Sequence, residues 1–132
     1  AESYTLYLKT HKYHWNVTGP MFHSLHLLFE QQYTELALAV DTIAERIRAL
    51  GWKAPGSYAE FAKLSTVKDA VGDPSASDMI RELTEDHRTV AEQANRVLKL
   101  AGEHEDEGSS TVASDRIEIH EKAAWMLSAH LD

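Results

Sequence analysis

One hundred and thirty-two residues suffice for one domain with a sizeable core and are too few for two. Hydrophobic residues make up 43% and charged residues 26%, a globular mix that excludes disordered and collagen-like chains, and the absence of cysteine excludes a disulfide framework, a zinc finger and a thiol nucleophile. Thirteen basic against twenty-one acidic residues leave a net charge of −8, which disfavours a surface built to hold nucleic acid, while eight histidines beside those acids suit metal ions bound by imidazole and carboxylate.

Three prolines and six glycines leave long uninterrupted stretches, so helices are expected throughout. The first helix runs to about Trp15, with Tyr4, Leu8, His11 and Trp15 at helical spacing. The chain begins without methionine and inside this pattern. Asn16-Val17-Thr18-Gly19-Pro20 is a turn cluster. The second helix, about Phe22 to Leu50, carries Phe22, Leu25, Phe29, Leu36, Val40, Ile43, Ile47 and Leu50 on one stripe, with Ser24, Gln31, Glu35, Thr42 and Arg46 on a face expected to be solvated. Gly51 terminates it. Ser57-Tyr58-Ala59-Glu60 reads as a capping box opening a short helix to about Leu64. A further helix spans about Ser77 to Ala101, with Ile80, Leu83, Val90, Ala94, Val97 and Leu98 as its apolar stripe. Residues 102–110 read as an acidic loop, and the last helix follows from about Thr111 to Leu131. Strand-like alternation is absent, and no apolar run approaches the roughly 20 residues that cross a bilayer. No secretory signal pattern opens the chain. The expected fold is all-α, a four-helix bundle in one domain over residues 1–132, with a short extra helix in the middle connection.

His26, Glu30, Asp41 and Glu45 of the second helix lie at about 0°, 40°, 60° and 100° around its axis, roughly 120° from the apolar stripe. Their face also carries Leu27, Thr34, Ala37 and Leu38, a mixture that wants a partner, although paired acids on helices commonly do no more than solvate a surface. His26 with Glu30, and Asp41 with Glu45, are i,i+4 pairs able to point at one ion. Glu30 and Asp41 are separated by about 16 Å of helix axis, far beyond metal–ligand bond lengths of about 2.0–2.6 Å. One straight helix therefore cannot close both pairs on the same ion. An antiparallel copy related by a two-fold axis near Glu35–Leu36 would bring them together in two equivalent sites per dimer. His14 lies just across the turn from His26, whereas His11 and His23 read as ordinary polar histidines. No histidine has glutamate three positions before it, which disfavours an intra-chain di-iron site, and His-Glu-x-x-His is absent.

His14-Trp15-Asn16-Val17-Thr18-Gly19-Pro20, followed by Phe22, Leu25-His26, Phe29-Glu30 and Asp41-Thr42-Ile43-Ala44-Glu45-Arg46, resembles the Dps family of mini-ferritins, and His120-Glu121-Lys122-Ala123-Ala124-Trp125-Met126-Leu127 is similar to that family's last helix. The resemblance implies a hollow twelve-subunit shell that oxidises Fe(II), preferentially with hydrogen peroxide, and stores ferric mineral. It implies that His14, His26 and Glu30 of one subunit and Asp41 and Glu45 of another hold the iron. Glutamate at position 30 is a variant of an aspartate found in some members and should still ligate. Trp15 resembles a tryptophan that intercepts oxidising equivalents beside the centre, interface packing being its alternative role. Glu103, Glu105, Asp106 and Glu107 lie near where the family lines its three-fold pores, or form a solvated acidic loop. The family's usual acid in the last helix is here Thr111, with Asp115 following. The implied location is cytoplasmic, in the company of the nucleoid where DNA is bound. Several members bind DNA through lysine-rich tails; without one, and at −8, weak or absent DNA binding is expected. The rival readings are a DNA-protecting or structural oligomer with a vestigial metal site, and a bundle that holds zinc without redox turnover, since zinc commonly outcompetes Fe(II) at such ligands.

Overall fold

The computed structural model describes residues 1–132 and is wholly helical: α1 Glu2–Asn16, α2 Phe22–Ala49, α3 Tyr58–Leu64, α4 Ala76–Glu103 and α5 Glu107–Ser128, closed by a 3₁₀ turn at Ala129–Leu131. Short turns make α1 with α2, and α4 with α5, into two antiparallel hairpins. The long connection carrying α3 joins them into a four-helix bundle.

Local chemistry sets the boundaries. Gly19 and Gly51 take φ of +100° and +95°, which side-chain-bearing residues rarely adopt, and so end α1's turn and α2 where the sequence predicts. Ser57 caps α3 by accepting from the Glu60 N–H at 3.2 Å, and Ser75 caps α4 by accepting from the Asp78 N–H at 3.2 Å. The expected loop over 102–110 is much shorter. The Asp106 carboxylate accepts the Ser109 N–H at 3.1 Å, which starts α5 at Glu107 and leaves only residues 104–106 between helices. An N-cap aspartate followed by two serines was the overlooked start signal.

The core consists of Leu6, Tyr13, Leu25, Phe29, Leu36, Ile80, Leu83 and Leu127, none more than 1% exposed. The inward face of α1 is Leu6, Thr10 and Tyr13, continued by Val17 at its C-cap, not the expected Tyr4–Leu8–His11–Trp15 stripe. The aromatic members of that stripe border α2 and α3 instead: Tyr4 stacks on Phe61 and His11 on Tyr33. At the far end of the stripes Leu50 and Val97 remain about half exposed. Lys9 is buried on α1 with its ammonium 2.8 Å from Asp86 and 3.4 Å from Glu82, an ion cluster that ties α1 to α4. Burial holds the Asp86 carboxyl above its ordinary pKa, with Lys9 opposing that shift.

Two residues expected on a solvated face are engaged. Arg46 reaches from α2 to Asp106 at 2.6 Å and Ser109 at 3.1 Å, passing over Gly108, where an added Cβ would meet the guanidinium at 2.8 Å. Glu35 takes a two-pronged ion pair from Arg116 of α5 at 2.6 and 2.8 Å.

Candidate metal centre

His14 ends α1 and His26 stands one turn into α2, so the Gly19 reversal lays one imidazole on the other, with ring centroids 3.8 Å apart and planes 14° apart. Each ring Nδ1 lies 2.8 Å from the other residue's backbone carbonyl. A carbonyl oxygen only accepts, so each Nδ1 carries the proton and donates it, and each Nε2 of the neutral ring keeps a free lone pair. This is the outer-sphere arrangement that fixes the tautomer and ring direction of a metal-binding histidine. It also satisfies the His14 and His26 carbonyls close to the helix–helix turn. His14 is buried and His26 half-buried, while Glu30, one turn further along α2, is exposed.

Aromatic groups pack this pair from both sides. Phe22 stacks on His26 at 5.0 Å between centroids, and Tyr33 meets His14 edge-on at 5.1 Å. His11 lies between Tyr33 (4.3 Å) and Trp15 (3.9 Å), and burial first, then the nearby His14, holds its pKa below the ordinary value. Trp15 itself is 61% exposed, so it covers His11 on one face and offers the other to solvent.

The remaining ligand candidates are not drawn in. Asp41 and Glu45 are exposed on α2, about 16 and 22 Å along its axis from Glu30. No three His, Asp or Glu side chains of the chain converge on one point. Around them Leu27 is 48% exposed and Leu38 is 70% exposed, beside exposed Thr34 and Ala37. The face thus combines half-sites of metal ligands with apolar side chains that nothing in the chain covers. Among the acids placed near pores, Asp106 is committed to capping α5 and pairing Arg46, contacts that hold its pKa below the ordinary carboxylate value, while Glu103, Glu105 and Glu107 are exposed.

A second polar cluster escaped the sequence reading. His87 of α4 and His120 of α5 face each other in the interior, Nδ1 to Nδ1 at 2.8 Å, and Arg116 places its guanidinium 2.9 Å from the His120 Nε2. Both fall on core-facing helical positions, which was the one signal available in the sequence; neither belongs to a ligand spacing pattern.

A family model described as a ferritin-like domain matches residues 1–132. An uncharacterised low temperature-induced protein of Nostoc is 41% identical over the whole of this chain and 75% of its own length. Dps from Staphylococcus aureus superposes with a TM-score of 0.96 at 34% identity, covering 99% of this chain and 88% of that one. Dps from Vibrio cholerae O1, described as a member of a broad superfamily of ferritin-like diiron-carboxylate proteins, superposes with a TM-score of 0.94 at 35% identity, covering 99% and 82%. With the family match over the full chain and these superpositions, this protein belongs to the ferritin-like family, among its Dps members.

Proposed function

We propose that the chain is the subunit of an iron-storing shell, a dodecamer built on two-fold dimers. It takes up Fe(II), oxidises it preferentially with hydrogen peroxide at centres shared between subunits, and keeps ferric mineral in the cavity. The observation that carries this reading is the locked His14–His26 pair, with two lone pairs free near exposed Glu30 on an uncovered face, where no three ligand side chains of the chain alone converge. Asp41 and Glu45 of the partner subunit supply the missing carboxylates when two α2 helices pair antiparallel about Glu35–Leu36.

The residue types fit Fe(II). Imidazole nitrogen and carboxylate oxygen suit iron and zinc alike, and the absence of thiolate removes a soft competitor for zinc. Bound there, iron supplies the one-electron chemistry. His14 and His26 hold it with rings that need no rearrangement, because each Nδ1–H is anchored on a carbonyl. The carboxylates neutralise its charge, and the exposed face of Trp15 stands where escaping oxidising equivalents would meet it. The chain's net charge of −8 raises the local concentration of Fe²⁺, an effect that salt weakens. Zinc in the same ligands would bind without turnover.

Complementation tests the shared centre. H26A and D41A particles each lose peroxide-driven Fe(II) oxidation while remaining assembled. Particles reassembled from an equal mixture recover about a quarter of the wild-type centres, since half the dimers are mixed and each mixed dimer keeps one intact site of two. Wild-type oxidation by either variant alone, or no recovery in the mixture, refutes the assignment.

A further inference from the structure

Aromatic rings form an unbroken series that starts at the His14–His26 pair and ends beside α3. Its spacing is helical: Tyr4, Tyr7, His11 and Trp15 follow one another at three or four residues, which lines them along one edge of α1. Tyr33 of α2 leans on that edge. It meets the ligand candidate His14 edge-on at 5.1 Å between ring centroids and stacks on His11 at 4.3 Å, while Trp15 lies 3.9 Å from the same His11 ring. Tyr33 next meets Tyr7 at 6.1 Å, Tyr7 meets Tyr4 at 5.7 Å, and Tyr4 stacks on Phe61 of α3 at 4.6 Å.

Packing energy alone explains any single contact of this kind. The order of residue types along the series goes further. Trp15, Tyr33, Tyr7 and Tyr4 are its readily oxidised side chains, and they follow one another outward from the metal centre with no gap wider than the His11 imidazole. Tyr33, Tyr7 and Tyr4 are half-buried, so a phenolic proton can leave to water together with the electron. Tyrosine is then easier to oxidise than tryptophan at neutral pH, which sets the direction from Trp15 to Tyr33. Tyr4 lies at the edge of an open groove of about 370 Å³ with Leu8, Tyr58 and Lys68, and no residue of α2 lines it. Small solutes therefore reach the far end of the series away from the α2 face assigned to pairing. The chain has no cysteine, so no thiol of its own ends a radical.

Resting on the iron reading above, we propose that Tyr33, Tyr7 and Tyr4 form a ladder that carries oxidising equivalents from Trp15 to the solvent beside α3, where a small thiol quenches them. The oxidant is a hydroxyl radical, released with hydroxide when Fe(II) gives one electron to hydrogen peroxide. It takes an electron and a proton from Trp15 and becomes water. The Trp15 radical then takes an electron from Tyr33 and a proton from water, while the phenolic proton of Tyr33 passes to water. The same exchange moves the radical to Tyr7 and on to Tyr4. A thiol gives its hydrogen atom to the Tyr4 phenoxyl, and two of the resulting thiyl radicals join as a disulfide. Fe(III) is too weak an oxidant to draw an electron from a phenol, so stored ferric mineral does not discharge the ladder.

Pulse radiolysis of the metal-free, assembled protein tests the ladder without iron, using azide radical as the oxidant of tryptophan. Trp52 and Trp125 are exposed, and a W52F/W125F background leaves Trp15 as the one tryptophan. The tryptophanyl absorption is expected to decay as a tyrosyl absorption grows, at a rate independent of protein concentration. Should that background not assemble, W15F in the otherwise natural chain is expected to remove the same phase. Y33F is expected to lose the transfer. Y7F and Y4F are expected to keep it, and to slow repair of the tyrosyl radical by added glutathione several-fold. No intramolecular phase, a phase unchanged by Y33F, or repair unchanged in either Y7F or Y4F would overturn the proposal. Because no metal takes part, such a failure leaves the iron reading standing, and failure of the H26A and D41A mixture leaves these radical measurements unchanged.

Discussion

Arg116 is 7% exposed and joins two systems that the sequence keeps far apart, the Glu35 carboxylate of α2 and the neutral His120–His87 pair between α5 and α4. R116M leaves Glu35 without its partner and His120 without the donor that fixes its tautomer. Breaking a buried pair costs roughly 3–5 kcal/mol, and the partial exposure of Glu35 places this variant at about 3 kcal/mol, read as a lowered urea midpoint. The histidine pair also sets a pH response. Both folded pKa values, about 3 and about 2, lie below the 6.5 of the unfolded residues. As pH falls below 6.5 the unfolded chain takes up protons that the native chain refuses, so stability from this pair is complete above pH 6.5 and drains away towards pH 3. The urea midpoint should therefore slope between pH 6 and 4.5 with an uptake approaching two protons per chain on unfolding, and a flat profile there would contradict the assignment. None of this was legible from spacing. Composition singled out the histidines, but His87 and His120 are 33 positions apart and meet only because two hairpins pack.

Helix α2 has two opposite jobs, and its residues sort by angle. Leu25, Phe29 and Leu36 are buried against the bundle, while Leu27 and Leu38 stay exposed beside Glu30, Asp41 and Glu45. Because Leu38 is 70% exposed, L38D should change the stability of the subunit by no more than about 0.5 kcal/mol. It places a charge on the apolar part of the pairing face, so light scattering should show loss of the dimer and of any larger particle. An intact particle would move the interface elsewhere. The sorting of α2 was legible in sequence because a 28-residue helix gives the 100° periodicity many repeats. That of α1 was not: with 15 residues and aromatic side chains on two faces, Tyr4, Leu8, His11 and Trp15 imitate a core stripe, while Leu6, Thr10 and Tyr13 form it. The start of α5 was missed for a different reason. Glu107, Gly108, Ser109 and Ser110 have loop-like composition, and only the Asp106 cap with its Arg46 crossing makes them helical.

For the whole molecule, the net charge of −8 decides what can approach. Repeated over the copies of the proposed shell, it would attract Fe²⁺ and repel phosphate backbones. This 132-residue chain is expected to produce no gel shift of duplex DNA even at low salt, where phosphate contacts are strongest. A tight shift would overturn that expectation. The sequence by itself determined the helical class, the number of helices and most of their ends, while its resemblance to the Dps family proposed the five candidate ligands His14, His26, Glu30, Asp41 and Glu45. The helical features rest on local rules: turn residues, caps and the fixed rise and rotation of a helix, which also forbid one straight helix from closing both ligand pairs on one ion. Only the tertiary structure decided the reciprocal carbonyl anchoring of His14 and His26, the Arg46 and Glu35 ion pairs, and the buried His87–His120–Arg116 cluster. Each of these depends on which helix faces lie against one another across the crossover, and the periodicity of a single helix carries no information about that.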